Sequence, residues 1–246
     1  MSHRPPIHTI LNPAARKPAS AQSDKAGRRL VSGGRETAFQ AFLSQTGFPC
    51  VGAKAALARG GIETLRCGPI TSRLDDRAIA LHLIRFVKRW RRCRRLFTSF
   101  VVVFDGPHGL SERRFELAMW RRIQCLTDQD RAWGHAVAPG ISSDPVDPHF
   151  ALSFGGESFF AVGLHPNASR KARRFRCPAI VFNLHDQFRQ LRADGRYESM
   201  RSTILRRDQA WSGSINPMLG RHGEQSEAPQ YSGRQVNSDW KCPFHR

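Results

Sequence analysis

The residues able to do chemistry crowd into the last third of the chain. Between Phe159 and Phe244 stand His165 after the apolar run FFAVGL, the arginines of NASRKARRF, His185 after the strand AIVFN, Glu224 and Glu227 in HGEQSEA, and Cys242 ahead of Pro243. A segment built only for packing has apolar periodicity and little else. Here groups that ligate, protonate or hydrogen-bond recur every few residues, as a binding or catalytic site requires. An imidazole at a strand end beside a proline turn, as in His165-Pro166, has a fixed backbone. It suits a metal or haem axial ligand or a general base; its plain alternative is a bond to a loop carbonyl. His185 opens a helix, where an imidazole tends to be neutral and able to ligate a metal; its plain alternative is capping or packing. If the apolar strands before these histidines pair antiparallel, both rings are expected at one edge of a sheet.

Arg170, Arg173 and Arg174 carry guanidiniums that match carboxylates or phosphates in a two-pronged fashion. A solvent-facing basic loop is the alternative, more so for Arg173 and Arg174 than for Arg170. Glu224 and Glu227 are two acids in a basic chain, suited to receive a guanidinium or ammonium group, or else to pair with Arg234. Cys242-Pro243 has the form of a thiolate ligand, but Cys177-Pro178 has the same form. No Walker loop, G-x-G-x-x-G, G-x-S-x-G or H-E-x-x-H occurs.

These groups need elements to position them. Arg35 to Gln45 places Phe39, Phe42 and Leu43 on one helical face. Phe48–Leu57 reads as a turn into a short helix. Asp75 and Asp76 open a long helix to about Trp90, with acids at its positive end. Thr98–Phe104 is a buried strand ended by Asp105-Gly106-Pro107. Ser111 caps a helix with Phe115, Met119, Ile123 and Leu126 inward. Residues 127–150 read as a long loop. Strands follow near Leu152–Phe154 and Ser158–Leu164, turning at Gly155-Gly156, and then at Ala179–Asn183. His185–Arg192 is a short helix, and Tyr197, Met200, Ile204 and Leu205 mark a longer one. The last 35 residues have little periodicity. Helices dominate the first half and hairpin-like strands the second. The predicted class is therefore α+β: one domain over residues 35–246, with helices on a small, mostly antiparallel sheet. Residues 1–34 are basic, with Pro5, Pro6, Pro13 and Pro18, and read as a disordered tail.

Composition narrows the function classes. The 246 residues carry a formal charge of +19 from 39 basic and 20 acidic side chains. The densest cluster is Arg85, Lys88, Arg89, Arg91, Arg92, Arg94 and Arg95, following the apolar stripe Ile79, Leu83, Ile84 and Val87, so it forms the solvated face and end of a helix. Aromatics are not interleaved with these arginines as in an RNA-binding sheet, so nucleic acid is the lesser expectation for a partner. No run of about 18 apolar residues exists to span a membrane. Residues 1–30 lack a secretory apolar core, which predicts a cytoplasmic, reducing location. The cysteines at 50, 67, 93, 125, 177 and 242 form no C-x-x-C pair, so neither a zinc ribbon nor disulfides are expected.

Beyond composition, several blocks resemble one family in order and spacing. They are FPCVGAKAAL, SERRFELAMWRRIQCLTDQD, DPHFALSFGGESFFAVGLHPNASRKARRFRCPAIVFNLHDQF, GSINPMLGRHGEQSEAPQYSGR and WKCPF. From about Thr37 to Phe244 the chain resembles the YqcI/YcgG family, whose members with assigned activity are haem-dependent guanidine N-hydroxylases. The resemblance implies haem b, with its iron, and a small guanidine or amine substrate such as L-arginine. It also implies O₂ or peroxide as oxidant and an electron donor. In that reading His165 is the first choice for the axial ligand, His185 the second and Cys242 the third. Arg170 and Arg234 would pair with haem propionates or a substrate carboxylate, and Glu224 or Glu227 would grip the guanidinium. Phe159, Phe160, Phe182 and Asn183 would line the macrocycle. A haem-binding or sensing protein without turnover is the alternative.

Overall fold

The run Ser99–Phe104 (SFVVVF) is buried at every position, and a strand buried on both sides must lie inside a sheet that is covered on both faces. The computed structural model, which describes residues 35–220 and 223–245, has that arrangement. Five strands form one sheet: β1 (Ile62–Cys67), β2 (Ser99–Phe104), β3 (Leu152–Phe154), β4 (Glu157–Leu164) and β5 (Ala179–Leu184), in the order β1-β2-β5-β4-β3. β1 and β2 are parallel; the other three pairings are antiparallel. The α+β class therefore holds. The tail read at residues 1–34 lies outside the described residues.

One face of the sheet carries Leu65, Phe100, Val102, Phe104, Phe159, Ala161, Ile180, Phe182 and Leu184. Two long helices cover it: α3 (Asp76–Cys93) and α4 (Glu112–Ala132). α3 is also the crossover that the parallel β1–β2 pair demands. Ser111 Oγ accepts from Arg114 N at 3.3 Å, the expected N-cap of α4. Arg122 of α4 reaches Asp76 Oδ1 at 2.6 Å and ties the two helices together. The C-terminal segment completes this core. Tyr231 stacks on Trp120 at 5.6 Å, and Phe244 packs at 5.9 Å from Trp120 and 5.8 Å from Phe150.

The opposite face presents Ile62, Val101, Val103, Val162, Leu164, Ala179 and Val181. Part of it is covered by α1 (Arg35–Ser44) and α2 (Val51–Ala58), through Phe39, Phe42, Phe48 and Phe175. Near its other end run α5 (His185–Ala193) and α6 (Tyr197–Ser212), followed by the single-turn α7 (Ala228–Tyr231). The inward residues of α6, Met200, Ile204 and Leu205, are only half-buried.

Three elements depart from the sequence reading. β1 was not predicted, because IETLRC alternates poorly for an edge strand and is only part-buried. α4 runs to Ala132, past the predicted loop start at 127. Its last turns bury polar Thr127 and Asp130, and Asp130 Oδ1 accepts from Gly155 N at 2.9 Å and meets His135 Nδ1 at 2.8 Å. α7 is too short to leave a period.

Candidate functional site

The gap between the second sheet face, α1–α2 and α5–α6 is a cavity of about 330 Å³, at the lower end of the range for small-molecule sites. Its floor is Val101, Phe160, Val162, Leu164, Val181 and Asn183 of the sheet. Its walls include Phe39, Phe42 and Phe48 on one side and Phe188, Met200, Ile204 and Leu205 on the other. Polar groups enter at a few points: His185, Gln187, Arg170, Arg173, Asp208, Asn216, Glu227 and Gln230.

The strand alternation decides which predicted residues reach this space. On β5, Val181 and Asn183 face the cavity, and His185 continues that parity into the first turn of α5. His185 is buried, its Nε2 lies 3.0 Å from Glu227 Oε2, and its ring sits between the edges of Phe160 and Phe188, with centroids at 6.4 and 6.1 Å. Glu227 is itself buried at the start of α7. The two thus form a dry imidazole–carboxylate pair on the cavity wall.

His165 lies elsewhere. It continues the odd-numbered positions of β4, Phe159 and Ala161, which face α3 and α4. Its ring stacks on Phe115 at 4.3 Å and 21°, and it does not line the cavity. Burial pushes its pKa down to about 4, partly offset by Glu112 and deepened by Arg173. Among the described residues its buried Nδ1 has no hydrogen-bond partner. The first-choice ligand residue thus lies among core side chains and away from the cavity wall. The expectation that both rings share one sheet edge is corrected. Leu164 pairs with Ala179 and Phe159 with Leu184, so antiparallel pairing sends the two strand ends to opposite ends of the sheet. At ~3.3 Å per residue that is roughly 20 Å.

Of the other predicted residues, Phe160 and Asn183 line the cavity, and Asn183 Oδ1 accepts from Ser99 Oγ at 2.7 Å. Phe159 and Phe182 point to the α3–α4 core. Arg170 lines the cavity but is paired with Asp208 Oδ2 at 2.6 Å and donates to Ser214 O at 2.6 Å. Arg234 is outside the cavity, bound to Glu116 Oε2 through Nη2 at 2.6 Å and Nε at 2.9 Å. Glu224 is exposed and outside it. Cys242 packs on the α3–α4 core and does not line the cavity, and burial pushes its thiol up to about 12. Part of the arginine cluster is neutralised internally: Arg89 pairs with Glu63, Arg91 with Glu157 at 2.7 Å and Arg94 with Asp186 at 3.8 Å.

Sequence reasoning missed the part played by Asp208 and Asn216. Arg173, read from the sequence as a carboxylate-matching guanidinium with a solvent-facing loop as the alternative, lines the cavity. Asp208 had no motif around it. Its carboxylate accepts from both Arg170 and Asn216 N, the latter at 3.0 Å.

No described helix is long and apolar enough to cross a membrane. Searches of curated proteins and of solved structures return no match. Residues 39–245 match the profile of the YqcI/YcgG family. With the match covering nearly the whole described chain, the protein belongs to the YqcI/YcgG family.

Proposed function

We propose that the protein is a haem-dependent N-hydroxylase acting on a guanidine or amine group of a small metabolite such as L-arginine. The observation that carries this reading is the buried His185–Glu227 pair on the wall of an otherwise apolar cavity. The donor set fits haem b: one imidazole for the iron, aromatic and aliphatic walls for the macrocycle, and the half-buried guanidiniums of Arg170 and Arg173 for its carboxylates. His185 takes the ligand role first given to His165, because it alone of the two meets the cavity. When bound, haem supplies the oxidising chemistry, with O₂ and an electron donor or with peroxide.

The chain's own residues bind, orient and exclude water. His185 and Glu227 compensate each other's polarity in the empty cavity. With haem bound, His185 would hold the iron, and the Glu227 carboxylate would accept N–H bonds from a guanidinium, which it matches in charge and shape. Phe160 and Phe188 fix the imidazole plane from both sides. The apolar walls keep bulk water from the reacting nitrogen, which strengthens the grip of the carboxylate. Seating a macrocycle and a substrate together requires more room than about 330 Å³, so this reading requires the cavity to widen on binding.

The test is an absorption titration of the protein with haemin, with and without L-arginine. A Soret band that appears on addition of haemin, shifts with L-arginine and is lost in His185→Ala supports the reading. So does hydroxyguanidine formed with reductant and O₂ or with peroxide. A protein that takes up no haemin removes it.

A further inference from the structure

Arg173 closes the short turn Lys171–Arg173 and lines the cavity. Its position is tightly set. Its backbone carbonyl accepts from His165 N at 3.0 Å. Its Nη1 donates to Gly163 O at 3.1 Å and Tyr231 O at 3.2 Å, and its Nη2 donates to Gln230 O at 3.1 Å. A Cβ at Gly233, where φ is +83°, would fall 3.1 Å from Arg173 Cγ, so the absence of a side chain there makes room for its stem.

A guanidinium has five N–H donors. Three are used here, all on neutral carbonyls. The two left are the Nε–H and the second Nη2–H, which share one edge of the planar group. No carboxylate among the described residues pairs with this edge. Elsewhere among the described residues the same edge goes to carboxylates three times: Arg66 to Asp105, Arg89 to Glu63 and Arg234 to Glu116. The charged or titratable neighbours of Arg173 do not replace that partner. Arg170 repels it, Asp208 is engaged by Arg170 at 2.6 Å, and burial raises the Cys50 thiol so that it stays neutral. Desolvation draws the guanidinium pKa down to about 10, which still leaves it charged at neutral pH. A half-buried cation whose hydrogen bonds all go to neutral carbonyls gains from an incoming anion.

We infer that the Nε–Nη2 edge of Arg173 is the carboxylate-binding fork of the cavity. It takes the carboxylate of a ligand whose remaining surface is apolar or cationic, either a side-chain carboxylate of a bound macrocycle or the carboxylate of a small metabolite. The inference rests on the cavity and the guanidinium edge and stands without the cofactor assignment.

The experiment measures affinities in two matched pairs on the full chain: haemin against its dimethyl ester, and L-arginine against agmatine, which lacks the carboxylate. In at least one pair the acid is expected to bind about 10- to 100-fold more tightly, the range of a charge-assisted hydrogen-bond pair. The pair with the preference identifies the source of the carboxylate. Arg173→Gln is expected to erase the preference for the acid in the pair that shows it. Should that variant fail to fold, Arg173→Lys, which keeps the charge without the fork, is expected to reduce the preference at least about fivefold. Equal affinities in both pairs for the wild type overturn the proposal, as does a folded variant that keeps the full preference. Failure of the haem reading has a separate signature: no Soret change with haemin while L-arginine still outbinds agmatine.

Discussion

His165 and His185 stand at opposite ends of the paired strands β4 and β5 and on opposite faces of the sheet. Two imidazoles that look equivalent in the sequence therefore have different physical surroundings. One stacks on Phe115 inside the α3–α4 core; the other borders the cavity beside Glu227. Substitutions separate them. His185→Ala is expected to abolish or shift the Soret band of the haemin complex, and also to lower stability because it removes the partner 3.0 Å from the buried Glu227 carboxylate. His165→Ala is expected to keep the band and lower stability by about 2 kcal/mol through a cavity in the core. Absorption spectra and urea midpoints of the two variants check this. Loss of the band in His165→Ala alone would reverse the assignment.

The buried His165 also sets an acid limit. Its pKa is about 4 in the folded chain against ~6.5 in an unfolded one. Between those values the unfolded state binds more protons, so stability is intact above about pH 6.5 and falls as the pH drops towards 4. The loss attributable to this group is about 3 kcal/mol. His82, whose pKa burial also lowers, adds to it in the same direction. Urea midpoints measured from pH 7 to pH 4 should have a shallower slope in His165→Phe, which keeps the ring stack but cannot take up a proton. Parallel slopes would remove the account.

Glu116 is a structural anion. It is buried on α4, accepts from Ser232 Oγ at 3.0 Å, and receives both Nε and Nη2 of Arg234. Glu116→Gln keeps the shape and leaves the guanidinium without its counter-charge. The expected cost is about 2–3 kcal/mol, below that of a fully enclosed pair because Arg234 reaches solvent. Thermal or urea unfolding measures it, and an unchanged midpoint would contradict it.

Gly163 is where β4 comes closest to α4. A Cβ there would sit 2.6 Å from Met119 Sδ and 2.7 Å from Phe115 Cε1. The methionine can move aside; the Phe115 ring, held under His165, cannot do so freely. Gly163→Ala is expected to destabilise by about 1–3 kcal/mol through overpacking, read as a lowered unfolding midpoint.

Much of the fold was legible because burial imposes simple periods. SFVVVF announces an interior strand, and Phe115, Met119, Ile123 and Leu126 announce the buried stripe of α4. β1 left no such mark, since an edge strand needs cover on fewer sides. The site was legible only in part. His185, Glu227, Phe160, Asn183 and Arg170 do meet at one cavity, and their residue types had drawn attention. What a local reading lacks is which side of a strand a residue takes once the chain has turned. That single parity sends His165 and Phe182 to one face and His185 to the other. The two readings of Arg173 could not be separated for a related reason: whether an arginine in a basic loop turns inward depends on carbonyls supplied by β4 and α7, far away in sequence.

The late residues Tyr231 and Phe244 lie against Trp120 and Phe150. During synthesis, a nascent chain that has released β1 through α6 would still expose aromatic surface on α4, because its cover remains on the ribosome. Folding of the α3–α4 face must then wait until the segment through Phe244 has emerged, and the waiting intermediate is the species a chaperone would have to shield.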